Sequence, residues 1–208
     1  MEALETAPIT QKPVGFTQVF EANRNSTATC IVNVGGAGSG KSWAIAQLLI
    51  SKMLNEDNKT FGICRHTFPA LRMTAYDLFI SLLKDYGVYR EEKHNKTANV
   101  YSYKNNVVYF FSLDDAEKVK STSFNYIWIE ECSEISFNDF IILKTRLRGT
   151  VKPGELNHVY LSCNPTDIQG WVASKLCGVT KEKKKEQQPN YSAQLLSKEQ
   201  GRDTICPK

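Results

Sequence analysis

Apolar residues along this chain gather into short runs separated by stretches of helical period. Six runs read as strands, over 29–34, 60–64, 99–103, 107–111, 126–130 and 158–163. Tyr126-Ile127-Trp128-Ile129 is apolar throughout, the pattern of a strand buried on both faces of a parallel sheet. The pair 99–103 and 107–111 flanks Lys104-Asn105-Asn106 and predicts a β-hairpin. Residues 42–54 set Ile45, Leu48, Leu49 and Met53 on one helical stripe. Residues 75–86 do the same with Phe79, Ile80, Leu83 and Tyr86, with Thr74 as N-cap and Gly87 as stop. Ser136, with Asp139 three residues on, opens a third helical segment bearing Phe140, Leu143 and Leu147. Strand–helix alternation across 29–165 predicts an α/β fold: a doubly wound, mainly parallel sheet with flanking helices and a β-hairpin insertion. No internal repeat is visible.

This organisation suggests one domain over residues 1–177. The stretch from 178 to 208 reads as a basic tail, disordered or atypical, because its charge run 181–186 is followed by few apolar residues. Seven Lys/Arg against four Asp/Glu give that tail +3 of the chain's net +4, so the body is close to neutral. A nucleic-acid contact would therefore need a local patch, not a global field. The six cysteines show no C-x-x-C pair and no histidine at metal spacing; four lie in or beside strand runs, as small buried hydrophobes do. Neither zinc nor disulfides are expected. There is no apolar stretch of membrane-spanning length and no secretory leader at Met1-Glu2-Ala3-Leu4-Glu5, which suggests a cytosolic protein without membrane contact.

The chemistry begins at residues 35–42, Gly35-Gly36-Ala37-Gly38-Ser39-Gly40-Lys41-Ser42. This is G-x-x-x-x-G-K-[ST] between a predicted strand and a predicted helix, the context that the phosphate-cradling loop requires. Glycines let successive backbone N–H groups turn toward one anion, and the helix aims its positive end at the same point. Lys41 would neutralise β/γ-phosphate charge and the Ser42 hydroxyl would ligate Mg²⁺. The fold class is accordingly a P-loop NTPase.

Two further elements converge on that loop. Tyr126-Ile127-Trp128-Ile129-Glu130-Glu131 delivers two carboxylates to the C-terminal edge of a buried strand, where parallel α/β sheets bind ligands. Glu130 would hold Mg²⁺, and Glu131 would orient and deprotonate the water attacking the γ-phosphate. His158-Val159-Tyr160-Leu161-Ser162-Cys163-Asn164-Pro165 brings Ser162 and Asn164 to the same edge. Asn164 is either a sensor of the γ-phosphate or water, or a plain strand-ending turn before proline. In ATPases with an additional catalytic glutamate (the ASCE type), such a later strand inserts between the loop strand and the acidic strand.

Together these segments resemble the large terminase subunit of tailed bacteriophages, the motor that packages DNA into capsids. The likeness covers roughly 30–172 and rests on Gly35–Ser42, on Tyr126–Glu131 with Cys132-Ser133-Glu134-Ile135, on Thr145-Arg146-Leu147-Arg148-Gly149 and on Leu161–Pro165. Cys64-Arg65-His66-Thr67 with Leu71-Arg72 is similar to the family's arginine-bearing motif after the second strand. The resemblance implies Mg²⁺-dependent ATP hydrolysis, with Lys41 and Ser42 on phosphate and metal, Glu130 as the Walker B acid and Glu131 as catalytic base. Ser162 and Asn164 then belong to the motif coupling hydrolysis to movement. It also implies double-stranded DNA, a portal protein and the small terminase subunit as partners, a homo-oligomeric ring, and action on the procapsid in the host cytoplasm. In such a ring a neighbour's basic residue completes each site; Lys118, Lys120, Arg146 and Arg148 are the candidates.

The chain departs from the family pattern at Ala37, where many relatives carry arginine, and at Glu130, where aspartate is usual. No acid cluster of the family's RNase H-like nuclease domain follows residue 172, so an ATPase portion without DNA cleavage is expected. Adenine contacts are expected upstream of residue 30, with Phe16, Gln18 and Phe20 as candidates. Alternative readings are another P-loop DNA motor of helicase type, or a module that binds nucleotide without turnover. A GTPase is disfavoured because Asn164-Pro165-Thr166-Asp167 lacks the lysine of the guanine-reading motif.

Overall fold

The computed structural model describes residues 15–114, 121–165 and 170–177, together with the backbone of 202–205. Its framework is an eight-stranded sheet of β1 (Cys30–Val34), β2 (Thr60–Arg65), β3 (His94–Asn95), β4 (Val100–Tyr103), β5 (Asn106–Ser112), β6 (Tyr126–Ile129), β7 (His158–Cys163) and β8 (Arg202–Ile205). The order across the sheet is β3-β4-β5-β2-β6-β7-β1-β8. All pairings are parallel except β3–β4 and β4–β5. The expected hairpin is β4–β5, and its second strand joins the main sheet parallel to β2. Strand β7 lies between β1 and β6, the inserted position expected of it.

The pleat sorts the core into two apolar layers. Ile31, Phe61, Ile63, Tyr126, Trp128 and Tyr160 face one side. There they pack against α1 (Gln18–Asn25), α2 (Lys41–Asn55) and α4 (Asp77–Asp85). Cys30, Val32, Cys64, Ile127, Ile129, Val159 and Leu161 face the other, under Phe140 and Leu143 of α5 (Phe137–Thr145). Alternate residues of one strand thus fill opposite layers, which is why the central strands read as continuous apolar runs.

Local chemistry explains the helix boundaries. Ser136 and Asp139 form the reciprocal capping box that opens α5. Gly87, at φ 68°, closes α4 as expected. The beginning of that helical run differs from the sequence expectation. It starts with α3 (Phe68–Leu71), where Pro69 suits the first turn, and continues through one π-helical turn at Arg72–Tyr76 into α4. Thr74 is therefore inside the run and not a cap; its hydroxyl donates to the Ala70 carbonyl at 2.8 Å. Among the described residues, the short edge strand β3 and two larger elements escape the sequence reading. One is α1, capped by Thr17, whose side chain accepts from Phe20 N at 3.2 Å. The other is β8, which extends the sheet beside β1 within a stretch expected to carry no element. The rest of the expected tail lies outside the described residues.

Candidate active site

Strands β1, β6 and β7 end side by side, and their C-terminal ends carry the predicted chemistry. The loop after β1 turns on Gly38 and Gly40, at φ 76° and 79°, conformations that other residues adopt only under strain. Gly35 N donates to Cys163 O at 3.2 Å, which ties the start of the loop to the end of β7. Gly40 then serves as N-cap of α2, so the helix begins at Lys41 itself. Lys41 is 5% exposed and folds back over the loop, donating to Gly36 O at 3.3 Å and Asn164 Oδ1 at 3.1 Å. The Ser39 hydroxyl is buried in the loop with no hydrogen-bond partner, a polar atom for which a phosphate oxygen is a suitable mate.

Glu130 continues the face of β6 that carries Tyr126 and Trp128, and so points toward α2. Ser42 Oγ donates to its Oε1 at 2.8 Å, and Ser162 Oγ donates to its Oε2 in a short bond. Trp128 Nε1 donates in turn to Ser162 Oγ at 3.0 Å and fixes that hydroxyl. Burial pushes the Glu130 carboxyl up from its ordinary value, the Ser162 and Ser42 hydroxyls pull it down, and neighbouring Glu131 adds to the upward shift.

Glu131 lies two residues beyond the strand in the left-handed region, φ 48° and ψ 57°. That conformation costs a non-glycine residue about 1–2 kcal/mol, and such strain concentrates at functional sites. Its Oε1 accepts from Asn164 Nδ2 at 3.2 Å. The turn is held from two sides. Glu134 N donates to Glu131 O at 2.9 Å, and the Glu134 carboxylate receives Arg65 in a two-pronged pair, Nε at 2.9 Å and Nη2 at 2.7 Å. Arg65 also reaches Thr74 in the π-helical turn at 3.4 Å. The Arg65 guanidinium holds Glu134 below the usual carboxylate range.

Lys41, Asn164 and Glu131 thus form one hydrogen-bonded network, and Ser42, Glu130 and Ser162 a second beside it at the same sheet edge. Arg146 and Arg148 belong to neither. Arg146 O accepts from Phe124 N, and Arg148 Nε donates to Ser123 Oγ, both before β6 begins. At 3.3 Å per residue that is about 20 Å from Glu130, on the opposite rim of the sheet. Neither arginine serves the phosphate loop of its own chain, because the strand separates them. Lys118 and Lys120 lie outside the described residues. Phe20 is buried and cannot touch a base, whereas Phe16 and Gln18 are exposed. The sequence reading assigns no role to Glu134 or Trp128. Trp128 reads as core, and only its indole N–H, opposite a strand carrying Ser162, hints at more.

A glycine loop closing onto a helix N-terminus, beside an acid-tipped strand with one strand inserted between, defines a P-loop NTPase fold of the additional-glutamate type. The chain belongs to the phage terminase large subunit family, whose pattern matches residues 27–199. The PBSX phage terminase large subunit of Bacillus subtilis (strain 168) is 30% identical over 141 residues, 67% of this chain and 32% of its own length. The solved large terminase of a thermophilic bacteriophage is similar in fold. Its TM-score is 0.69 at 16% identity, over 93% of this chain and 46% of that one. The same phage protein in complex with ATP-gamma-S gives 0.65 at 17% identity, over 90% and 42%. This chain therefore spans about a third of the curated relative and under half of these solved structures. Among the described residues, no helix is long and apolar enough to cross a membrane.

Proposed function

We propose that this chain hydrolyses Mg²⁺-ATP and, as the motor portion of a terminase, drives double-stranded DNA into a procapsid in the host cytoplasm. The observation that carries the reading is the pair of linked bridges at the sheet edge, Lys41–Asn164–Glu131 beside Ser42–Glu130–Ser162. They join a phosphate-loop lysine to a carboxylate suited to activating water, and a loop hydroxyl to a second carboxylate. The residues fit Mg²⁺: both donors are hard oxygens, and Ser42 Oγ and Glu130 Oε1 stand 2.8 Å apart. Adjacent ligands of an octahedron with metal–oxygen bonds of 2.0–2.1 Å are about 2.9 Å apart. Bound between Ser42 and Glu130, the ion would supply charge neutralisation at the β- and γ-phosphate oxygens.

The remaining chemistry belongs to the chain. The loop N–H groups and Lys41 hold the triphosphate. Glu131 accepts a proton from water as the water oxygen bonds the γ-phosphorus. The bond from phosphorus to the β–γ bridging oxygen breaks, and Lys41 offsets the charge that ADP carries away. Asn164, bonded to both Lys41 and Glu131, couples phosphate occupancy to the position of the base. Assembly into a ring on the portal, with the small subunit alongside, would let a neighbour add a cation. Of the four basic candidates, Arg146 and Arg148 stand at the opposite rim from their own phosphate loop, which leaves a neighbour's site as the one they could serve.

The test is phosphate release from Mg²⁺-ATP by the purified chain. Lys41→Ala and Glu131→Ala should abolish turnover, and Glu131→Ala should still bind ATP. Normal turnover by Glu131→Ala would remove Glu131 from the role of base. A specific activity that climbs steeply with protein concentration supports completion of sites by neighbours, and a flat line opposes it.

A further inference from the structure

Trp128 is fully buried in β6, on the face of that strand that also carries Tyr126 and leads to Glu130. It pairs across with Tyr160 of β7, and Ser162 lies two residues further along the same face of β7. The indole Nε1 donates to Ser162 Oγ at 3.0 Å, and Ser162 Oγ donates to Glu130 Oε2. The other carboxylate oxygen, Oε1, accepts from Ser42 Oγ at 2.8 Å. Trp128, Ser162 and Glu130 thus form a relay that ends at the pair of oxygens suited to Mg²⁺.

The groups themselves fix the direction of this relay. An indole N–H can only donate and an ionised carboxylate can only accept, whereas a hydroxyl has one hydrogen and two lone pairs. With a lone pair of Ser162 engaged by Trp128, the hydroxyl hydrogen is left to point at Glu130. A phenylalanine would fill the same apolar layer without burying a donor, so packing alone does not call for indole here. Glutamate is a rotamer-rich side chain, and Mg²⁺ demands near-ideal octahedral geometry, so its ligand has to be held still. Hydrogen bonds from behind a metal ligand do that work. We propose that Trp128 is a positioning residue for the metal: through Ser162 it holds Oε2 of Glu130 and so presents Oε1, beside Ser42, to Mg²⁺. The inference rests on the Mg²⁺-nucleotide reading above and adds to it the residue that aims the acidic ligand.

The experiment is calorimetric titration of ATP, once with Mg²⁺ and once with EDTA, into the chain and its Trp128→Phe, Ser162→Ala and doubly substituted variants. The ratio of the two ATP affinities measures what the metal contributes. Trp128→Phe should cut that ratio about tenfold and leave the affinity in EDTA unchanged. Ser162→Ala should do at least as much. Adding Trp128→Phe to Ser162→Ala should cost nothing further, because the indole then has no hydroxyl to orient. Trp128→benzothienylalanine keeps the fused ring and lacks the N–H; it should match Trp128→Phe, and it carries the test if the smaller ring destabilises the fold. A ring that serves packing alone would give equal losses with and without metal, or a loss that adds to that of Ser162→Ala. Either result, like an unchanged ratio, would overturn the inference while the nucleotide reading stands. A parent chain that binds ATP no better with Mg²⁺ than with EDTA would overturn the metal reading and this inference with it, and one that binds ATP in neither condition would overturn the nucleotide reading itself.

Discussion

Asn164 donates its amide N–H to Glu131 Oε1 at 3.2 Å while its own Oδ1 accepts from Lys41 Nζ at 3.1 Å. One side chain at the end of β7 therefore spans the phosphate-binding group and the proposed base. Asn164→Ala should lower kcat by about 10²-fold with a much smaller change in ATP affinity, since misplacement of a reacting group by about 1 Å has that scale of effect. Steady-state kinetics alongside nucleotide titration separates the two. Equal losses in kcat and affinity would reduce Asn164 to a binding residue.

The left-handed backbone at Glu131 makes a stability prediction of opposite sign. Glycine adopts φ 48° without a Cβ penalty, so Glu131→Gly should raise the unfolding free energy by about 1 kcal/mol and eliminate turnover. Chemical denaturation read beside phosphate release tests both halves. A less stable Glu131→Gly protein would show that the side-chain bond to Asn164 outweighs the strain.

The Arg65–Glu134 pair buttresses that strained turn. Its carboxylate is part-exposed, so Glu134→Ala should cost under about 1 kcal/mol of stability. Turnover should nonetheless fall about tenfold at unchanged ATP affinity, because Glu131 loses a fixed backbone. The reversed pair Arg65→Glu/Glu134→Arg should recover part of that loss. Activity in the double variant no higher than in Glu134→Ala would mean that the pair does not act by holding the turn.

What is legible in the sequence is whatever local chemistry specifies. The Gly-Lys-Ser loop, the apolar strand ending in Glu130 and Glu131, the capping box at Ser136 and the stop at Gly87 each follow from neighbours a few residues apart. The inserted position of β7 is also legible, because a phosphate loop with a second glutamate after the acidic strand is the pattern of ATPases in which a later strand takes that place. What depends on distant partners is not. Arg65 meets Glu134 only because β2 and β6 are adjacent, and Thr74 is an interior residue because Pro69 starts the helix earlier. No sequence rule announces that Glu131 leaves the strand in a left-handed turn, or that Arg146 lies a strand's length from the phosphate loop. Helix α1 is eight mostly polar residues with Val19 and Phe20 buried, too short and too polar a stretch to stand out, and it packs on α2.

Glu130 gives the site a pH dependence whose sign can be worked out. Burial raises its folded-state value above the ordinary 4.5, despite the Ser162 and Ser42 hydroxyls. With a raised value, its contribution to folding stability is full below the unfolded value and is lost as pH rises through the folded one. Metal binding runs the other way, because the ion needs the ionised carboxylate and protons compete for it. Mg²⁺-ATP affinity should therefore begin to fall, on acidification, at a pH above that of an exposed carboxylate. Glu130→Gln should remove this part of the dependence and weaken Mg²⁺-ATP binding at neutral pH. The nucleotide's own titration is common to both proteins, so calorimetric titrations across a pH series isolate Glu130 as the difference between them. Superimposable pH profiles for the parent chain and Glu130→Gln would show that this carboxylate does not hold the metal.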